Sequence, residues 1–83
     1  MIEYKTINLP TDAYYVNTTY TAQKPGYRLI SVGFATQYAA MRVWKCRIIN
    51  NDVIHYAVST YDTTGTLSGT LDLTLTYIRS DYL

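Results

Sequence analysis

The chain has 83 residues, with seven Lys and Arg against six Asp and Glu, for a net charge of +1. This is one small domain, 1–83. Its weak charge excludes a nucleic-acid binder that works mainly by phosphate neutralisation. No apolar run reaches the ~18 residues of a membrane span, and no stretch has the charged, apolar and small-residue order of a signal peptide.

The composition points to strands. Ten Tyr and thirteen Thr stand beside one Phe and one Trp, and Val, Ile and Thr together make 25 residues. Branched and aromatic side chains pack well on a pleated surface. No stretch has convincing helical spacing.

In chain order, Tyr4 to Leu9 reads as a strand at a sheet edge, ended by Leu9-Pro10-Thr11-Asp12. Val16, Thr18 and Tyr20 form a second inner row. Lys24-Pro25-Gly26 is a turn, with Pro presetting φ and Gly free to take φ > 0. Ile30, Val32 and Phe34 then alternate with Leu29, Ser31 and Gly33, and Trp44, Cys46 and Ile48 with Lys45 and Arg47. Ile54, Tyr56 and Val58 alternate with His55, Ala57 and Ser59. Leu71, Leu73, Leu75 and Tyr77 give the clearest period of two, with the Leu face inward. The segment from Asp62 to Gly69 is the longest loop. The expected fold is all-β: a small antiparallel sandwich, jelly-roll-like, of about six strands.

The turn near Asn50-Asn51-Asp52 sets a register. A three-residue loop pairs Ile49 with Val53, Ile48 with Ile54, Cys46 with Tyr56 and Trp44 with Val58, so both apolar rows share one face. A two-residue loop at Asn50-Asn51 would turn the rows apart. The favoured register also sets Arg47, not Cys46, across from His55.

Catalytic chemistry finds little support. His55 is the only histidine and Cys46 the only thiol, so a Cys–His nucleophile pair would need the slipped register. One Cys permits no intrachain disulfide and no multi-thiolate cage. The acids are scattered through turns, and Glu3 is the only Glu. No metal, cofactor or phosphate loop is expected.

The tyrosines carry more information. Tyr joins a large apolar face to a hydroxyl at small entropic cost, which suits binding surfaces. Sugars in particular stack their C–H faces on aromatic rings. Tyr14, Tyr15, Tyr38, Tyr61 and Tyr82 lie outside the expected inner rows. The proposed ligand-binding residues are Tyr38, Tyr61 and Asp62, with Arg42 and Trp44 as secondary candidates; Trp44 also reads as a core residue. On the outward rows Met41, Val43, Ile49, Val53 and Ile78 are apolar, and together they would make a patch that self-association covers.

Three stretches resemble a known family. Lys24-Pro25-Gly26-Tyr27 followed by the apolar strand to Phe34, the hairpin Arg42 to Tyr56, and the closing strand Leu71 to Arg79 are similar to the small β-sandwich heads that end tail-fibre and tail-tip proteins of bacteriophages and prophages. The resemblance covers most of residues 14–79. It implies a homotrimeric head, located on the virion tail, that recognises a saccharide of the host cell surface without catalysis. The family offers no shared catalytic or binding positions to carry over. No fibre shaft accompanies the head here, so the chain reads as an excised domain or as a free-standing small protein, cytoplasmic in the second case. The other readings are a structural trimerisation or capping module without ligand, and a small intracellular inhibitor of another protein. Neither nucleic-acid binding nor membrane insertion is expected.

Overall fold

The computed structural model describes residues 1–36, 41–61 and 65–82. Six strands fill most of it: β1 (Ile2–Asn8), β2 (Tyr15–Thr21), β3 (Tyr27–Thr36), β4 (Met41–Asn50), β5 (Val53–Thr60) and β6 (Thr70–Arg79), followed by a 3₁₀ turn, Ser80–Tyr82. They pair, all antiparallel, into two three-stranded sheets with orders β1-β6-β3 and β2-β5-β4. The all-β antiparallel sandwich expected from the sequence is the observed fold, with β1 at an edge.

The two central strands explain why their patterns are clearest. β6 is flanked on both sides, so Leu71, Leu73, Leu75 and Tyr77 are buried while Asp72, Thr74, Thr76 and Ile78 face out. β5 is flanked likewise, and Ile54, Tyr56 and Val58 face the β6 row across the core. Each such side chain contributes roughly 1.5–3 kcal/mol of apolar burial. Leu29, Val32, Val43, Cys46, Ile48, Val16 and Tyr20 complete the core from the edge strands.

Connections close the core. Leu67, in the long β5–β6 connection, is fully buried and its N–H donates to the Ala13 carbonyl at 2.7 Å. Leu9 and Ala22 are buried too, beside the ends of β1 and β2. The Pro25-Gly26 turn forms as expected: Tyr27 N–H donates to the Lys24 carbonyl at 3.0 Å, and Gly26 has φ 81°.

The β4–β5 connection differs in detail from the expected loop. It has two residues, Asn51 and Asp52, with Asn50 opposite Val53. An irregularity between Ile48 and Asn50 absorbs Ile49, so Cys46–Tyr56 and Ile48–Ile54 still pair and both apolar rows still share one face. Arg47 lies opposite His55, as expected. Asp52 takes the left-handed backbone at φ 59° and is buried. Its Oδ1 accepts the Leu29 N–H at 2.8 Å, and its carbonyl accepts the Ala22 N–H at 2.7 Å. A turn of one sheet thereby fastens the start of β3 in the other.

Two further bulges overturn expectations. In β3 the register shifts between Leu29 and Ser31. Leu29 therefore points inward and Ile30, 51% exposed, drops out of the ladder; Phe34, opposite buried Leu73, stays on the inner row but is also 51% exposed. In β4 it shifts between Val43 and Lys45, so Val43, rather than Trp44, pairs with Val58. A bulge inserts one unpaired residue and interrupts the alternation on its strand. Trp44 is consequently 56% exposed and not in the core. The proposed outward apolar patch does not exist either. Met41 is buried and Val43 packs on the core, while Val53 and Ile78 belong to different sheets.

Candidate functional site

The bulge at Trp44 creates a structured cleft on the surface. On the outer face of the β2-β5-β4 sheet, at the end farther from the Asn51–Asp52 turn, Tyr14, Tyr15, Arg42, Trp44, Ser59, Thr60 and Tyr61 line a cleft of about 240 Å³. Pockets for drug-sized ligands run from roughly 300 Å³ upward. This cleft suits one ring-sized group instead.

Each wall has a local cause. Ser59 lies on the outer row of β5, flanked by Tyr15 on β2 and Arg42 on β4. Trp44, released from the ladder, swings onto that face and donates Nε1–H to Ser59 Oγ at 2.8 Å. The Ser59 hydroxyl in turn donates to the Thr60 carbonyl at 2.9 Å. Thr60 N–H donates to the Tyr14 carbonyl at 2.9 Å, which ties the β1–β2 connection to the end of β5. The indole is thus held in place although more than half of it faces solvent.

Arg42 sits between two rings, its guanidinium carbon 4.8 Å from the Trp44 ring centre and 5.1 Å from that of Tyr61. Each contact is worth about 0.5–1 kcal/mol at an exposed site. Ring stacking uses the faces of the guanidinium and leaves its N–H edge for an acceptor. Arg42 has no hydrogen bond or ion pair among the described residues. Beside the cleft a polar chain runs across the sheet: Asn17 Nδ2 donates to the Tyr15 hydroxyl at 3.0 Å, and Asn17 Oδ1 is hydrogen-bonded to His55 Nε2.

Three of the five proposed binding residues come together here: Arg42, Trp44 and Tyr61. Tyr38 and Asp62 lie outside the described residues. Tyr14 and Tyr15, noted in the sequence only as tyrosines away from the inner rows, also line the cleft, whereas Tyr82 lies by Arg79 at the end of β6. Ser59 had no sequence signal, since an outward serine on a central strand looks like any solvated position. Its role depends on a bulge one strand away.

The nucleophile candidates are separated. Cys46 belongs to the inner row of β4 and His55 to the outer row of β5. Burial pushes the Cys46 thiol above its ordinary range, which disfavours the reactive thiolate. Among the described residues no three His, Cys, Asp or Glu side chains cluster as metal ligands would. Comparison with protein-family models, curated proteins and solved structures finds no match.

Proposed function

We propose that the chain is a non-enzymatic recognition module that binds a saccharide in the Arg42–Trp44–Tyr61 cleft. The observation that carries this reading is an exposed indole immobilised by Ser59 beside a guanidinium with no polar partner among the described residues. Aromatic edges and faces suit sugar C–H groups, and the free N–H edge suits sugar oxygens. A cleft of about 240 Å³ limits what enters to one ring-sized unit. A single shallow site of this kind binds weakly. The homotrimeric tail-fibre head implied by the resemblance of residues 14–79 would raise such sites to useful avidity on a host cell surface.

A second reading, a trimerisation or capping module without ligand, draws support from the bulged edge of β3. Ile30 and Phe34 are exposed there. The bulge blunts that edge against strand addition, so contact with another copy would be made through side chains.

Glycan-array binding of the wild type and of Trp44→Ala and Tyr61→Ala distinguishes the two. The recognition reading expects glycan signals that both substitutions abolish while far-UV circular dichroism stays unchanged. No glycan signal, with an oligomer intact by light scattering, would favour the capping module.

A further inference from the structure

We infer that the saccharide is anionic and extends from the cleft along β4, over Arg42, Lys45 and Arg47. This rests on the reading of the cleft as a saccharide site and goes beyond it by assigning the ligand's charge and direction.

The argument is an audit of cations. The chain has seven Lys and Arg. Lys24 pairs with Glu3 at 3.3 Å, Arg79 with Asp81 at 3.2 Å, and Arg28 lies 4.0 Å from Asp52. Lys5 reaches over the Tyr20 ring at 5.7 Å. The remaining three, Arg42, Lys45 and Arg47, have no ion pair among the described residues, and all are exposed on the outer row of one strand. They stand opposite Ser59, Ala57 and His55 in turn. Successive outward positions on a strand are about 6–7 Å apart, so the row spans roughly 13 Å. That is longer than the cleft's single ring.

Among the described residues, no acid answers this row from its own face. Glu3, Asp52 and Asp81 are engaged elsewhere, Asp72 lies on the outer row of the other sheet, and Asp12 lies in the β1–β2 connection; Asp62 lies outside the described residues. The outer rows of β2, β5 and β4 carry no carboxylate among the described residues. Three like charges on one edge strand repel each other, and none has an ion pair among the described residues to offset that. A ligand with carboxylate, sulfate or phosphate groups would relieve that repulsion and use it for binding.

The face favours an acidic sugar chain over a nucleic acid. Single-stranded nucleic acids need aromatic platforms along the path for successive bases. Here the rings gather at one end, and Arg42 already occupies faces of two of them. Beside Lys45 the neighbouring β5 position is Ala57, 1% exposed, with no ring to stack on.

The test measures affinity of the full chain for polygalacturonate, dextran sulfate and neutral dextran, with poly(dT) as a fourth probe, at low and high salt. The proposal expects an acidic polysaccharide to bind more tightly than dextran and to weaken with salt. Comparison of polygalacturonate with dextran sulfate separates carboxylate from sulfate preference. The double variant Lys45→Gln/Arg47→Gln should lose about tenfold in affinity for the acidic chain, as expected for two surface charge contacts. The charge-matched control Lys5→Gln/Arg79→Gln should lose little. Equal losses in both variants would reduce the effect to net charge and overturn the proposal. Dextran binding as well as the acidic chains would overturn the anionic assignment and leave the saccharide reading standing. Poly(dT) binding tighter than any polysaccharide, or no polysaccharide binding at all, would overturn both.

Discussion

Asp52 is one turn residue asked to do two things, and substitution separates them. Its left-handed backbone costs most L residues about 1–2 kcal/mol, Asp and Asn less. Its buried carboxylate satisfies the Leu29 N–H at 2.8 Å. Removing the acceptor leaves a buried donor unpaired, a cost of about 1–3 kcal/mol. Asp52→Ala loses the acceptor and adds backbone strain, so it should destabilise by roughly 2–4 kcal/mol. Asp52→Gly loses the acceptor but relaxes the backbone, and should recover about 1 kcal/mol of that. Asp52→Asn keeps a neutral acceptor and tolerates the left-handed region, so its loss should be near 1 kcal/mol. The expected order of stability is wild type, Asn, Gly, Ala. Urea unfolding followed by far-UV circular dichroism measures it, provided the slopes agree. An Ala variant as stable as the Asn variant would refute the idea that this side chain fastens one sheet to the other.

Further predictions concern the core and its titratable groups. Leu67→Ala should cost about 3–5 kcal/mol in the same unfolding experiment, as for a fully buried leucine, despite its place in a loop. Burial above all, with the charges of Glu3, Tyr20 and Asp52 adding to it, holds the Tyr77 hydroxyl above the ordinary tyrosine range. Burial does the same to Tyr56. A raised folded-state value means that stability is intact below about pH 10 and falls as pH rises beyond it. Tyr77→Phe should lose about 1 kcal/mol at neutral pH, by removing the hydroxyl donated to the Ala22 carbonyl, and should show a shallower alkaline decline. An unchanged decline would contradict the assignment. Cys46, half-buried with its thiol pushed up, should react with iodoacetamide more slowly in the folded chain than in urea; equal rates would contradict its inward placement.

Legibility in the sequence followed the number of strand neighbours. β5 and β6 are each paired on both sides, so their alternation survives unbroken and the Leu71–Tyr77 row could be read directly. β3 and β4 are edges, and edges tolerate bulges. The bulged residues here are Ile30 and Trp44, with no glycine to mark either place. A period of two therefore continued on paper where the chain had slipped by one, and it carried Trp44 into the core. Two of the four expected hairpin pairs held for a related reason. The irregularity at Ile49 offset a loop one residue shorter than expected, so Cys46–Tyr56 and Ile48–Ile54 were kept, while Val53 and Val58 pair with Asn50 and Val43. In the cleft, Arg42 and Tyr61 were legible as polar and aromatic residues near a loop. Ser59 and the orientation of Trp44 were not, because they follow from that bulge. The role of Asp52 was hidden as well, since its partner Leu29 is 23 residues away in sequence and in the other sheet.

The central claim is that sugar enters the cleft beside Trp44. The chain has a single tryptophan, so its indole N–H gives one assignable NMR signal. Titration with oligosaccharides from polygalacturonate and from dextran should move that signal saturably, together with the amides of Arg42, Ser59 and Tyr61. Thr74 and Thr76, on the outer row of the opposite sheet, should not move. Signals unmoved by either sugar, or shifts confined to Thr74 and Thr76, would contradict the account.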